Sequence, residues 1–189
     1  MAACRERASM KVAIGLGTSL AMQRRQQGPM AARAARLELT VRQLAATPGL
    51  ELLRISPWVS TPPLRGGTAR GVFLNGVALF ECELSPHALL ARCIVLEEQA
   101  GRRRARKWGD RTLDLDVLVV EDVVSDDARL LLPHPAIGDR PFVLLPLLSV
   151  WPDAQDARTG TRWSSHPVPK GPKPVPQGQV ARRPRLGYL

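Results

Sequence analysis

The chain has 189 residues, of which 44% are hydrophobic, so it is long enough for one domain with a substantial core. Its apolar runs are too short for a membrane span, and the apolar stretch after the first basic residues is too short for a signal peptide. The formal net charge is +10, but residues 10–150 carry 18 Lys and Arg against 14 Asp and Glu, which leaves +4 there and weakens a whole-protein argument for nucleic-acid binding.

The hydrophobic pattern predicts a strand, a helix and two further strands in the first half of the chain. Residues 11–17 form an apolar run that ends in glycines, which is typical of a short buried strand. Residues 30–46 have apolar side chains at helical spacing, and Thr47-Pro48-Gly49 ends this helix. Residues 50–59 and 73–84 are predicted to be two antiparallel strands joined by a long loop that contains several glycines.

A second helix and another strand complete the predicted unit. Ser85-Pro86 supplies the N-cap and the first position of this helix. The strand 113–120 follows, then an acidic turn at 121–127, a short apolar stretch at 129–132 and a short helix or buried turn at 142–148. The order strand, helix, strand, strand, helix, strand predicts an α+β fold with a ferredoxin-like antiparallel sheet, with helices packed on it in three α-β-α layers.

The two ends of the chain differ in composition from its middle. Residues 1–9 are polar, and the last part of the chain is rich in proline and basic residues with few core-forming side chains. Such segments bury too little apolar surface to offset the entropy lost on ordering. We therefore expect a disordered extension at 1–9, one domain at 10–160 and a disordered tail at 161–189.

The candidate metal ligands are aspartates rather than cysteines. The three cysteines have no C-x-x-C spacing, which favours reduced thiols in a cytoplasmic protein and argues against a zinc site. Asp114 and Asp116 are two residues apart on a predicted strand, so both carboxylates lie on one face, about 6–7 Å apart. Such carboxylates repel each other unless a cation lies between them, as in a divalent-metal site. The alternative is an exposed polar face of an edge strand.

A run of five cations lies just before these aspartates: Arg102, Arg103, Arg104, Arg106 and Lys107. Such a run must lie on a loop or at a frayed helix end, where guanidinium groups can hold phosphate. Trp108 beside it suits a lid that folds over a planar ligand. The alternatives are a solvated loop and a non-specific nucleic-acid patch.

The stretch W-G-x-R-T-L-D-L-D at residues 108–116 resembles the signature of the 6-hydroxymethyl-7,8-dihydropterin pyrophosphokinase family of the folate pathway. Further stretches resemble the other motifs of this family in order and spacing, and the resemblance covers residues 10–153. These stretches are Thr61-Pro62-Pro63-Leu64, Phe73-Leu74-Asn75, Gly101-Arg102-x-Arg104, Arg129-Leu130 with Pro133-His134-Pro135, and Arg140-x-Phe142.

The resemblance implies transfer of pyrophosphate from ATP to the hydroxymethyl group of the pterin, with release of AMP. It implies that Asp114 and Asp116 bind two Mg²⁺ ions. The residues implied to hold the phosphates and to offset charge in the transition state are Arg102, Arg104, Lys107 and Arg111. The implied pterin-binding residues are Thr61, Pro62, Leu64, Phe73, Asn75, Trp108 and Phe142. The implied nucleotide-binding residues are Glu97, Arg129, Leu130, His134 and Arg140.

The chain also departs from the family pattern. Gly17-Thr18-Ser19-Leu20 replaces the usual G-S-N-L, Lys107 stands where an arginine is common, and Asp110 replaces a frequent proline. Because no implied metal ligand is lost, we expect activity. By residue type alone, Phe73 and Phe142 could instead be core side chains.

Three functional hypotheses follow from the sequence. The first is the pyrophosphokinase, with ATP and a hydroxymethyl-dihydropterin as partners, no membrane partner, and a monomeric state. The second is a homologue that binds pterin or nucleotide without catalysis. The third is a basic nucleic-acid-binding module, which the carboxylates within the basic patch disfavour.

Overall fold

The computed structural model describes residues 9–20, 29–63, 71–101, 110–168 and 175–176. Strands and helices of the described residues alternate in the way that the hydrophobic pattern predicts, with additions after the fifth strand. The elements are β1 (Met10–Thr18), α1 (Pro29–Ala45), β2 (Leu50–Ile55), β3 (Val59–Thr61), β4 (Phe73–Cys82), α2 (Pro86–Gln99), β5 (Asp114–Val120), β6 (Ser125–Asp127), β7 (Leu130–Leu132), α3 (Pro141–Val150), a 3-10 turn (Trp163–Ser165) and β8 (Val175–Pro176).

The main sheet is antiparallel and has the order β5-β1-β4-β3-β8. Strand β4 is long enough to pair with β3 at its beginning and with β2 at its end. If β2 and β3 are taken as one interrupted strand, the order of the first four strands across the sheet is that of a ferredoxin-like unit. The predicted α+β class and ferredoxin-like sheet are therefore confirmed.

Helices cover both faces of this sheet. On one face, α1 and α2 bury a core that includes Leu37, Phe80 and Leu96. On the other face, α3 packs on β4 and buries a second core that includes Val77 and Leu144. Among the described residues, no helix combines the length and the apolar character that a membrane crossing requires. The predicted three-layer arrangement is confirmed.

The strand predicted at 50–59 is interrupted in the structure. Residues 56–58 separate β2 from β3, and within them the Trp58 ring turns inward and is only 2% exposed. Its place is opposite Gly76, which has no side chain to exclude the ring. The hydroxyl of Ser56 accepts a hydrogen bond from the Val77 backbone N–H at 2.9 Å and so fills the gap in the ladder.

The C-terminal half contains more regular structure than the sequence predicts. The predicted acidic turn and the apolar stretch after it form the hairpin β6–β7, and the predicted short helix extends over ten residues as α3. Packing also continues past residue 160, where we expected the domain to end. Trp163 is 5% exposed and belongs to the second core, since a large aromatic ring gains from burial.

Candidate functional site

Three neighbouring strands bring Asn75, Gly17 and Asp114 side by side. In the sheet register, Asn75 of β4 lies opposite Gly17 of β1, and Gly17 lies opposite Asp114 of β5. Residues directly opposite each other in antiparallel strands point to the same face. A Cβ on Gly17 would lie 3.0 Å from Asn75 Oδ1 and 3.8 Å from Asp114 Cβ. The glycine therefore leaves an open floor between the amide and the carboxylate.

Asp116 lies two residues further along β5, opposite Gly15. Its neighbours Leu115 and Val117 point into the first core, beneath α1 and α2. Both aspartates therefore face away from these helices, as the alternation predicts. Burial raises the pKa of Asp116, and the nearby charge of Asp114 raises it further. The opposing charges, which lower this pKa, are His134, Arg111 and Arg140. A carboxylate pair in this setting is stabilised by an added cation.

Arg111 is the cation closest to the aspartates among the described residues, and it forms an ion pair through Nη1 with Asp114 Oδ2. Its backbone is held by the end of β1. Arg111 N–H donates to Ser19 Oγ at 2.9 Å, and Ser19 N–H donates back to Arg111 O at 3.0 Å. The hydroxyl of Thr18 donates to Thr112 O at 2.8 Å. The segment that enters β5, and with it the ion pair, is therefore fixed by two buried hydroxyl residues.

His134 approaches the aspartates from the outer edge of β5. Its backbone N–H donates to Leu118 O at 2.8 Å, which attaches the loop after β7 to this edge. Its Nδ1 accepts the Ala136 N–H at 3.1 Å, so the neutral ring carries its proton on Nε2. Burial lowers the pKa of His134, the charge of Asp116 opposes this shift, and Arg140 adds to it. Arg140 is the residue immediately before α3.

A polar pair and two phenylalanines occupy the predicted pterin side. The side chain of Asn75 donates through Nδ2 to Thr61 Oγ1 at 3.0 Å, which orients its Oδ1 toward Gly17. Phe73 and Phe142 are half-buried, and both buried clusters of the described core form without them. Neither phenylalanine therefore belongs to a buried core, and both are available to contact a ligand.

The remaining predicted residues are placed less centrally. Glu97 is 5% exposed, and its carboxylate accepts the Leu115 N–H at 2.8 Å, so it ties α2 to β5. Leu130 is 4% exposed in the first core, and Arg129 is exposed at the hairpin turn, where its Nε lies 3.9 Å from Asp127 Oδ1. Pro62 is exposed beside Thr61. The predicted residues that lie outside the described part of the chain are Leu64, Arg102, Arg104, Lys107 and Trp108.

The described residues offer two carboxylates for a metal and no larger set. A search of them finds no cluster of three or more His, Cys, Asp or Glu side chains that could hold an ion. Mg²⁺ is commonly held by one or two carboxylates together with substrate phosphates and water. The pair Asp114 and Asp116 therefore suits a metal that shares its ligands with a substrate.

Comparison with known families identifies the chain. The sequence profile of the family described as 7,8-dihydro-6-hydroxymethylpterin-pyrophosphokinase (HPPK) matches residues 13–152, which include the whole site described above. The chain belongs to this family. The resemblance seen in the W-G-x-R-T-L-D-L-D stretch is thereby confirmed over most of the chain.

Individual HPPK relatives agree with this assignment. The 2-amino-4-hydroxy-6-hydroxymethyldihydropteridine pyrophosphokinase of Methylorubrum extorquens is 44% identical over 121 residues, which cover 64% of this chain and 76% of the relative. The protein of the same name from Pseudomonas aeruginosa is 34% identical over 143 residues, covering 76% of this chain and 82% of the relative.

Solved structures agree at the level of the fold. The HPPK-DHPS of Plasmodium falciparum superposes with a TM-score of 0.59 at 12% sequence identity. The match covers 85% of this chain and 44% of that longer chain. At this identity the likeness supports the fold alone.

Sequence reasoning missed the residues that support this HPPK site. Thr18 and Ser19 were noted only as departures from the family pattern, yet both are buried and hold the entry to β5. Gly17 is predicted only as the end of the first strand, and its place between the amide and the carboxylate depends on the sheet register. The available signal was two polar residues at the end of an apolar strand, where a buried hydroxyl needs a partner.

Proposed function

We propose that this chain transfers pyrophosphate from ATP to 6-hydroxymethyl-7,8-dihydropterin, releases AMP, and so serves folate biosynthesis. The observation that carries the proposal is the row Asn75, Gly17 and Asp114 across three strands. It brings an oriented amide, suited to the edge of a planar heterocycle, next to a carboxylate pair suited to a metal-bound phosphate chain. HPPK family membership favours this function over a basic nucleic-acid-binding module.

Asp114 and Asp116 would hold the metal, with two Mg²⁺ ions as the stoichiometry that we propose. The donor set fits, because carboxylate oxygens are the ligands that Mg²⁺ prefers, and because burial and then the neighbouring charge of Asp114 raise the pKa of Asp116, a cost that a bound cation would offset. When bound, the metal supplies charge neutralisation for the phosphate oxygens.

Cations on two sides of the aspartates would hold the phosphates. Arg111 reaches the site from the start of β5, and Arg140 reaches it from the start of α3, close enough to lower the pKa of Asp116. The neutral ring of His134 would add an Nε2–H donor. Transfer of a phosphoryl-type group depends mainly on positioning and on offsetting charge, for which such an arrangement is suited. We assign the same role to Arg102, Arg104 and Lys107, and the role of a nucleotide contact to Glu97, Arg129 and Leu130.

The pterin would lie over Gly17, where a side chain would otherwise fill the floor. Asn75 Oδ1 faces this space, and the Asn75–Thr61 hydrogen bond fixes which edge of the amide is presented. Phe73 and Phe142, which the buried cores do not use, would stack on the rings. Pro62, Leu64 and Trp108 complete the proposed pterin contacts.

The chemistry follows from the products. Because AMP leaves and both outer phosphates are transferred, the hydroxymethyl oxygen must attack the β-phosphorus of ATP. The new bond joins this oxygen to the β-phosphorus, the bond from the β-phosphorus to the α,β-bridging oxygen breaks, and the hydroxyl proton is released. The chain's contribution is to hold the acceptor oxygen in line with the bond that breaks.

A direct assay tests this function. The protein is incubated with ATP, Mg²⁺ and the hydroxymethyl-dihydropterin, and nucleotide products are separated. We expect AMP in an amount equal to the pterin pyrophosphate formed; ADP, or no AMP, refutes the proposal. Binding of pterin and ATP by calorimetry without turnover would instead identify a non-catalytic homologue.

Two substitutions test the metal assignment. Asp114→Asn and Asp116→Asn each remove one ligand charge with little change of shape, and we expect each to abolish AMP formation and to leave the circular dichroism spectrum unchanged. Asp153→Asn is the control, since this exposed carboxylate lies outside the site and its Oδ1 is 3.6 Å from Arg162 Nη1. Near-normal turnover in either site variant contradicts the assignment. The monomeric state and the cytoplasmic location stay predictions.

A further inference from the structure

A loop beyond the family-matched region is anchored firmly in the second core. Ala154 is fully buried and Trp163 nearly so, and the Trp163 N–H donates to Ala154 O at 2.9 Å. Gln155 and Arg162 form a further antiparallel bridge directly above this bond. The two ends of the loop 154–163 are thereby closed on each other. The family profile ends at residue 152, so this loop belongs to the part of the chain that the profile does not cover.

The tip of the loop has one defined shape. The Asp156 carbonyl accepts the N–H groups of Thr159 and Gly160, at 3.1 and 2.7 Å. The Asp156 carboxylate accepts the Arg158 N–H at 2.8 Å, and Gly160 has a φ of +69°, which favours glycine. Arg158 is therefore presented from a tight turn rather than from a slack segment.

The guanidinium of Arg158 joins this loop to the open end of the β6–β7 hairpin. Its Nη2 lies 2.9 Å from Ser125 O, 2.7 Å from Asp126 Oδ1 and 3.0 Å from Leu132 O, so its two N–H groups are shared among three acceptors. Ser125 and Leu132 are partners in the hairpin register. Arg158 thus closes the hairpin at the point where the chain leaves it toward His134.

The space between the loop and the His134 segment is only partly filled. A cavity of about 520 Å³ is lined by residues of both, including Pro133 and His134 of the segment and Asp156, Arg158 and Trp163 of the loop. Leu132 and Ile137 anchor the two ends of this segment in the cores, since both are fully buried, and polar contacts hold the residues between them that line the cavity. On the other side, His134 is held by its N–H bond to Leu118 O.

We propose that Arg158 is a positioning residue for His134 and, through it, for the nucleotide side of the site. Arg158 fixes Leu132 from the side of the cavity, while β5 holds His134 from the other side. The inference rests on the proposed function, in which His134 contacts the nucleotide. Arg158 acts through Leu132 and touches neither substrate.

The test compares Arg158→Ala, Arg158→Lys and Arg162→Ala in the full chain. We expect Arg158→Ala to raise the KM for ATP by about threefold or more, since it removes charge-assisted bonds, with little change in the KM for the pterin. Arg158→Lys should recover part of this loss, because an ammonium group retains donors for the same acceptors. Arg162 is the matched control, because it lies on the same loop and pairs only weakly with Asp153, at 3.6 Å.

Hydrogen exchange provides a readout that does not depend on catalysis. The His134 amide is expected to exchange faster in Arg158→Ala than in the wild type or in Arg162→Ala, because its bond to Leu118 O opens more often. If neither the wild type nor any variant forms AMP, but the His134 amide still exchanges faster in Arg158→Ala, the positioning role of Arg158 stands and the proposed function fails. Unchanged exchange at His134, or equal rises in the KM values of ATP and pterin, overturns the inference. If Arg158→Ala does not fold, the same criteria apply to Arg158→Lys.

Discussion

A single methyl group on Gly17 should weaken pterin binding while the fold is retained. In Gly17→Ala the new Cβ would lie 3.0 Å from Asn75 Oδ1, so the amide must move by a few tenths of an ångström. The Asn75–Thr61 hydrogen bond, now 3.0 Å, opposes this movement. Loss of one such bond costs about 1 kcal/mol, which corresponds to about a fivefold rise in the Kd for the pterin. The strand itself tolerates alanine better than glycine.

The assay is a fluorescence titration with the hydroxymethyl-dihydropterin, followed by steady-state AMP formation. Gly15→Ala is the matched control on the same face of β1, since its Cβ would meet the flexible side chain of Leu118 at 3.3 Å. Thermal unfolding of both variants shows whether either loses stability. An unchanged Kd for the pterin in Gly17→Ala, or an equal change in Gly15→Ala, would refute the idea that Gly17 keeps the floor of the site open.

Three further predictions concern stability. Gly76→Ala would place a Cβ 2.4 Å from Trp58 Cε3, and we expect the free energy of unfolding in urea to fall by about 1–3 kcal/mol. Glu97→Ala would leave the buried Leu115 N–H without its acceptor, and should cost about 1–3 kcal/mol in the same experiment. Burial raises the pKa of Cys93 from 9.0 to about 12, so the unfolded thiol ionises first and the free energy of unfolding should fall as the pH rises above about 9. Cys93→Ala should make this slope shallower, since burial also raises the pKa of Cys82 and leaves a contribution of the same sign; an identical pH profile in that variant would contradict the assignment.

The local pattern of the sequence was sufficient for the elements that have a strong period or a clear cap. Alternation placed Asp114 and Asp116 on one face and their apolar neighbours on the other, because a strand has a period of two. Ser85 was recognised as an N-cap, and its hydroxyl accepts the Ala88 N–H at 3.3 Å. The motif at 108–116 then identified the family.

Short or irregular elements could not be recognised in this way. Strands β6 and β7 have three residues each, too few for a period to appear, and Ser125–Asp127 has no apolar residue. The break at Trp58 depends on Gly76, which lies in another strand and leaves space for the ring. Both features arise from contacts between segments distant in sequence, so no local window contains the signal.

The sequence by itself determined the order of the elements, the shared face of the two aspartates and the family, because each depends on neighbours within a few residues or on a contiguous motif. Only the tertiary structure decided that Gly17 separates Asn75 from Asp114 and that Ser19 holds Arg111. The same is true of the contact between Arg158 and Leu132, at the end of the hairpin that precedes His134 in the chain. These relations join strands and loops far apart in the chain. They exist only once the sheet register and the second core have brought those segments together.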